Sequence, residues 1–142
     1  MISKSVLDKA KAFLCWDTFS ELNVQFIELQ QAVAYFFPPS RDRNTIVVFH
    51  RQGNPDFTRP LFLLFHEAGH YLQFQEWKSS DRETHFWKLI DTPEGSIKAA
   101  FEEESWKWGR DLLEDFVRKN ELGESVLQLY DDYASECVNS YR

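Results

Sequence analysis

The stretch LLFHEAGHYLQF, residues 63–74, lies inside a run that is apolar nearly all round, from Leu61, Phe62 and Phe65 to Phe74 and Trp77. A helix with apolar residues on every side is a buried one. Thr58 is a candidate cap and Pro60 stands at an early helical position, so the helix is expected to start near residue 60 and run to about Trp77. Three costly polar groups interrupt it: His66, Glu67 and His70. Residues four apart stand one above the other on a helix, so the two imidazoles share a face and can bind one metal ion, typically zinc. Glu67 is turned about 100° from His66. That places it off the metal but within reach of a water held there, where a general base belongs; the zinc lowers that water's pKa toward ~7. The bland alternative is a set of hydrogen-bonded core residues. Burying two imidazoles and a carboxylate without purpose costs several kcal/mol, however, and a metal removes that cost. Gly69 costs roughly 1 kcal/mol against Ala inside a helix, so a packing or site reason is expected for it.

Upstream, residues 4–16 carry apolar side chains at helical spacing (Val6, Leu7, Ala10, Phe13, Leu14). Residues 23–30 (NVQFIELQ), 32–39 (AVAYFFPP) and 45–50 (TIVVFH) read as strands, the second halted at Pro38. SRDRN is a polar connection, and RQGNPDFTRP is a loop broken by Gly53, Asn54 and Pro55. Downstream, residues 78–96 read mostly as connection. A helix is expected over about 94–119 after the Thr92-Pro93 start signal, and Gly123 separates it from a last helix ending near Tyr141. A helix, a run of strands and then helices predict an α+β fold with a three-stranded antiparallel sheet, in a single domain over 1–142.

Composition sets the outer bounds. The chain has 142 residues, 43% of them hydrophobic and 16% aromatic, enough for a sizeable core and against disorder. A net charge of −7 argues against direct nucleic-acid binding, which needs a basic face. The acidic blocks FEEES and YDDYASE read mostly as solvated helix faces. Cys15 and Cys137 are far apart and in no metal-like spacing, which fits free thiols in a reducing cytoplasm. The N-terminus carries Asp8, Lys9 and Lys11 where a signal peptide needs an apolar run. The longest purely apolar run, residues 61–65, is far short of a membrane span, so a soluble cytoplasmic protein without membrane partners is expected.

A catalytic zinc usually takes three protein ligands and water. One class extends the helix to H-E-x-x-H-x-x-G-x-x-H. Here Gln73 stands at the Gly position and Glu76 at the last His, well off the metal-facing side of a continuous helix, so that class is rejected. The other class draws a glutamate from a later helix, and AAFEEESWKWGRDLL offers Glu102, Glu103 and Glu104. With Ile97, Phe101, Trp108 and Leu112 taken as the apolar face, Glu103 points away, while Glu102 and Glu104 flank that face on opposite sides. Periodicity does not choose between those two.

HEAGH followed by EEESWKWG resembles the gluzincin metallopeptidases, and more closely the small ImmA/IrrE-like family, which joins H-E-x-x-H to a later E-x-E-A-N/D-x-F-A. The resemblance covers about residues 20–115 and rests on two short motifs. It implies a zincin-like fold and zinc-dependent peptide-bond hydrolysis, with His66, His70 and Glu102 binding Zn²⁺ and Glu67 as the base. It also implies limited cleavage of a protein substrate, such as a repressor or another partner. Glu104 falls on the family's second Glu and Ser105 on its Ala, whereas Trp106 replaces the Asn or Asp, Trp108 the Phe and Gly109 the Ala. The family's Asn/Asp hydrogen-bonds a ligand histidine. An indole donates but cannot accept, so another acceptor must hold the imidazole here, with Asp111, Glu104 or a backbone carbonyl as candidates.

Four further features carry candidate roles. TIVVFH is either a cleft strand that pairs with extended substrate or an ordinary strand. His50 and His85 are more simply structural than metal- or oxyanion-binding, and Tyr35, Tyr71, Tyr130 and Tyr133 are core or rim residues before they are donors. Trp106 and Trp108, two apart on a helix, cannot both enter one core, so one of them is expected at a cleft or interface. The alternative to a peptidase is a metal-binding regulatory or interaction module that keeps the zincin fold without cleaving. A closed structural zinc site would need a fourth protein ligand. Mn, Fe or Co fit the same ligands as zinc.

Overall fold

The computed structural model describes residues 1–30, 33–40 and 43–142, the side chain of Ser40 excepted. Gln31 and Ala32, at the expected junction of the first two strands, and Arg41 and Asp42, in the expected SRDRN connection, lie outside the described residues. The described elements are helices α1 (Lys4–Ala12), α2 (Thr58–Ser79), α3 (Glu83–Asp91), α4 (Ser96–Lys119) and α5 (Ser125–Asn139), and strands β1 (Leu22–Leu29), β2 (Val33–Ser40) and β3 (Arg43–Arg51). The fold is α+β, as expected. The chain forms two compact units, Met1–Ala68 and Gly69–Arg142, and α2 is one continuous helix running through both.

In the first unit Ser3 caps α1, its hydroxyl accepting from the Val6 N–H. The expected helix to residue 16 is continuous, but its end is a π-helical turn, Phe13–Thr18. Lys4 and Lys11 lie over the Phe26 ring of β1, 5.1 and 5.8 Å from its centroid, and Phe13 packs on Phe65 of α2. The sheet departs from expectation. Its order is β1-β3-β2, with β1 parallel and β2 antiparallel to β3, so it is mixed and not antiparallel. Strand direction does alternate along the chain; the difference is that β3 inserts between its two predecessors. That makes β3 the central strand, hydrogen-bonded on both sides, and removes it as a strand to which substrate could add. Its burial fits, since Ile46, Val47 and Val48 are consecutive buried residues, the pattern of a strand covered on both faces. β2 does not halt at Pro38. It continues to Ser40 through a register shift between Phe37 and Ser40, the kind of irregularity where a strand tolerates proline.

The start of α2 is held by Asp56 rather than by Thr58. The Asp56 Oδ1 accepts from the Thr58 N–H (3.1 Å), the Thr58 hydroxyl and the Ile2 N–H (3.2 Å), and the Thr58 hydroxyl hydrogen bond leads the effects that hold this carboxyl below the usual range.

In the second unit, residues expected as connection form α3, a nine-residue helix that buries Phe86 and Leu89. The short run HFWKLI was too brief for a clear helical period. Phe86 packs edge-on against Phe74 of α2 and Phe101 of α4. α4 starts at Ser96, two residues later than expected, and its buried face is turned by about one residue from the expected one. Ile97 is 70% exposed, while Glu102, Ser105, Trp106, Gly109 and Leu113 are buried. An apolar count overlooks Glu102, Ser105 and Gly109, and so misplaces the stripe. α5 packs on α4 through Trp106, whose ring meets Tyr130 and Tyr133 at 5.3 and 5.7 Å; the Tyr130 hydroxyl donates to the Trp106 carbonyl (2.7 Å). Among the described residues no helix is long and apolar enough to cross a membrane.

Candidate metal centre

Every residue of α2 from Leu64 to Tyr71 is buried, so His66, Glu67 and His70 are held in low dielectric. One turn of helix separates the two histidines. The ligand atoms of His66, His70 and Glu102 all lie within 4.8 Å of one another, and all three residues are buried. The structure therefore brings together the three expected ligands and chooses among the glutamates of α4. Glu102 is inside, Glu103 faces solvent near Arg142, and Glu104 is half-buried. Glu67 is buried in the same turn as His66.

The approach of α4 to α2 depends on Gly69. A Cβ built there would stand 2.0 Å from the Ser105 carbonyl oxygen, so only glycine permits this crossing, the packing reason anticipated for it. It sits one residue from His70, and Ser105 sits one turn from Glu102.

What holds His70 is Gln73, three residues on, which sequence reasoning passed over. The Gln73 Nε2 donates to the Phe101 carbonyl (2.8 Å) and to Glu104 Oε1 (3.0 Å). Both are acceptors, so the amide orientation is assigned by its partners and the Gln73 Oε1 faces His70 Nδ1 at 2.7 Å. The proton is then on Nδ1, and Nε2 turns a lone pair toward Glu102 Oε2, 2.6 Å away. Two acceptors at that separation need a shared cation, a proton or a metal ion. With a second imidazole from His66, the donor set is N, N, O. The residues present fit a zinc-type ion.

The other oxygen of Glu102 is held by a second overlooked residue. Lys98, only 3% exposed, sits one helical turn before Glu102, with Nζ 3.2 Å from Oε1. It also donates to the Leu89 and Ile90 carbonyls at 2.8 and 3.0 Å, tying the end of α3 to the same carboxylate. Its signal in the sequence was spacing: a lysine four residues from the one glutamate that must be buried.

The remaining expectations separate cleanly. Glu104 reaches the imidazole only through Gln73, and Asp111 is exposed. Trp106 belongs to the packing of α4 on α5, and Trp108 is half-buried. His85 is exposed and stacks on Trp77, and His50 is buried against Phe57; neither joins the ligand group among the described residues. Tyr35 is exposed, Tyr71 accepts from Gln75, and Tyr130 is committed to Trp106. Comparison with protein-family models, with curated proteins and with solved structures found no match.

Proposed function

We propose that this chain is a metal-dependent peptidase of gluzincin type, with zinc as the ion that its ligands suit best. The observation that carries the reading is the buried His66, His70 and Glu102 group with Glu67 in the same helical turn. Three protein ligands leave a coordination position for water, as in catalytic rather than structural sites; among the described residues the group has no fourth member. When bound, the metal would lower the pKa of water and polarise the scissile carbonyl. The chain's own residues do the rest. Glu67 accepts the proton from the attacking water and returns it to the leaving nitrogen. Gln73 holds His70 in the Nδ1–H tautomer so that Nε2 is the ligating atom. Lys98 fixes the Glu102 carboxylate through its second oxygen.

The resemblance of HEAGH and EEESWKWG to the ImmA/IrrE-like proteins extends the reading to regulatory cleavage of a protein substrate such as a repressor. The other reading, a metal-binding module that does not cleave, drew on Trp106 in place of an acceptor. Gln73 supplies an acceptor from elsewhere, which favours the peptidase.

Elemental analysis of the purified chain tests the site, and a peptide-library digest tests the chemistry. About one zinc per chain is expected, lost in His66→Ala and Glu102→Ala and kept in Glu104→Ala and Glu67→Gln. Glu67→Gln should lose all cleavage. Failure of the wild type to bind metal, even on adding zinc, refutes the reading; metal retention with unchanged function in Glu67→Gln leaves the non-cleaving module.

A further inference from the structure

Among the described residues Lys98 is the only lysine or arginine that is buried. Taking an ammonium out of water is costly unless its surroundings replace what water supplied. Here they do. Nζ carries three hydrogens, and three oxygens face it: the Leu89 carbonyl (2.8 Å), the Ile90 carbonyl (3.0 Å) and Glu102 Oε1 (3.2 Å). The Phe101 and Tyr141 rings lie beside it, their centroids 5.6 and 5.3 Å from Nζ. All of these residues, and His70, belong to the one unit Gly69–Arg142. The ammonium therefore cannot swing away from Glu102 without stranding two carbonyls and a carboxylate.

This fixed contact limits what Glu102 can give to an ion. Of its two oxygens, Oε2 is turned to His70 Nε2 at 2.6 Å, and Oε1 is engaged by Lys98. The charges also offset, because Glu102 brings −1, Lys98 brings +1, and imidazoles bind metal as neutral ligands. Hard ions such as Mn²⁺ favour sets of carboxylate, carbonyl and water oxygens, whereas imidazole suits zinc.

We infer that Lys98 is a specificity-determining residue of the metal centre. By engaging Oε1 and offsetting the charge of Glu102, it restricts the site to ions that accept two imidazoles and a single carboxylate oxygen, zinc before manganese. The inference rests on the metal reading above and goes beyond it, since the three ligands by themselves also admit manganese, iron and cobalt. Helix α3 enters the choice of ion at one remove, because its Leu89 and Ile90 carbonyls hold the ammonium in place.

The test is the ratio of zinc to manganese affinity, measured on the full chain by competition with a chromophoric chelator. In Lys98→Met the ratio should fall about tenfold or more, because the second oxygen and the full carboxylate charge become available to manganese. Lys107→Gln, which removes an exposed lysine from the same helix, should leave the ratio unchanged. Visible absorption of the cobalt(II)-loaded chain is the second readout. The intense bands of a low-coordinate ion are expected in the wild type and weaker bands in Lys98→Met, a change that lost stability alone does not produce in the chain that stays folded. Where Lys98→Met does not fold, Lys98→Gln, which keeps a donor without the charge, should move the ratio in the same direction. Weak, six-coordinate bands in the wild type overturn the inference whatever the variants do. So does an unchanged ratio in a folded, metal-loaded Lys98 variant, or an equal fall in Lys107→Gln. A wild type that binds no ion at all refutes the metal reading itself, and this inference with it.

Discussion

Replacing Gly69 by Ala reverses the usual sign of such a change. In an ordinary helix interior, Gly→Ala stabilises by roughly 1 kcal/mol. Here the added Cβ would stand 2.0 Å from the Ser105 carbonyl oxygen and 2.9 Å from both the Ser105 carbonyl carbon and Oγ. Ordinary contact begins at 3.4 Å, so the carbonyl must retreat by 1.4 Å. It is part of the α4 backbone and cannot rotate aside without breaking that helix. Overpacking of this kind costs about 1–3 kcal/mol, and a clash with fixed backbone belongs at the top of that range. After the gain in helix propensity, a net loss of about 2 kcal/mol remains. For 142 residues that lowers Tm by about 8 °C. Because α4 carries Glu102 and α2 carries His70, separating them also weakens zinc about tenfold or more, measured by competition with a chromophoric chelator. Ser105→Gly should not rescue the variant, because it removes Oγ and leaves the carbonyl. An unchanged or raised Tm in Gly69→Ala refutes the close crossing of these helices.

The other predictions concern the groups around the ligands and the start of α2. Gln73→Leu should weaken zinc binding by roughly 10- to 100-fold by releasing the His70 tautomer, whereas Trp106→Ala should lower stability by about 3–5 kcal/mol through lost packing and leave zinc affinity near wild type; chelator competition beside chemical denaturation separates the two. Lys98→Met strands the Glu102 carboxylate and the Leu89 and Ile90 carbonyls, at a cost of roughly 3–5 kcal/mol, and a denaturation midpoint near that of the wild type would show the ammonium to be dispensable. Asp56→Ala should cost about 1 kcal/mol at neutral pH as a lost helix cap. The folded Asp56 carboxyl titrates below its unfolded value of about 3.9, so its charge-linked contribution is complete above that pH and is lost as pH falls toward the folded value; the urea midpoints of wild type and Asp56→Ala, apart at neutral pH, should draw together near pH 3, and a gap that does not narrow contradicts the charge-linked part.

The candidate metal-binding helix was legible because its signal is local. His66, Glu67 and His70 interrupt an apolar run, and one turn of helix relates them whatever surrounds it. The sheet was legible only in part. Periodicity marks each strand and short connections alternate their directions, but spatial order depends on long-range pairing that no short window contains. Even so, the unbroken apolar residues from Ile46 to Phe49 are the mark of a strand covered on both faces, which an interior strand more readily is than an edge strand. Glu102 and Glu104 could not be separated by periodicity because the buried stripe of α4 is not mainly apolar at the site: it is built from a carboxylate, a serine and a glycine. The motif resemblance pointed to Glu102 where the helical wheel left two glutamates open, and Glu102 is the one whose carboxylate lies beside His66 and His70.

Trp106 shows why single motif positions mislead when they are read apart from their neighbours. The residue that holds a ligand imidazole must be an acceptor, but nothing requires it to come from the glutamate helix. Gln73 lies three residues from His70 on the metal helix itself, and its amide can accept from Nδ1 while donating to Phe101 and Glu104 of α4. The hydrogen bond that orients the ligand and a tie between the helices are thus made by one side chain. That leaves position 106 under no demand to accept, and it carries an indole packed on Tyr130 and Tyr133 instead. The two positions therefore answer to different forces, electrostatic orientation at Gln73 and apolar burial at Trp106. Removing Gln73 should weaken metal binding and, by stranding the buried His70 N–H, cost about 1–3 kcal/mol of stability, whereas removing Trp106 should cost more stability and leave metal affinity near wild type.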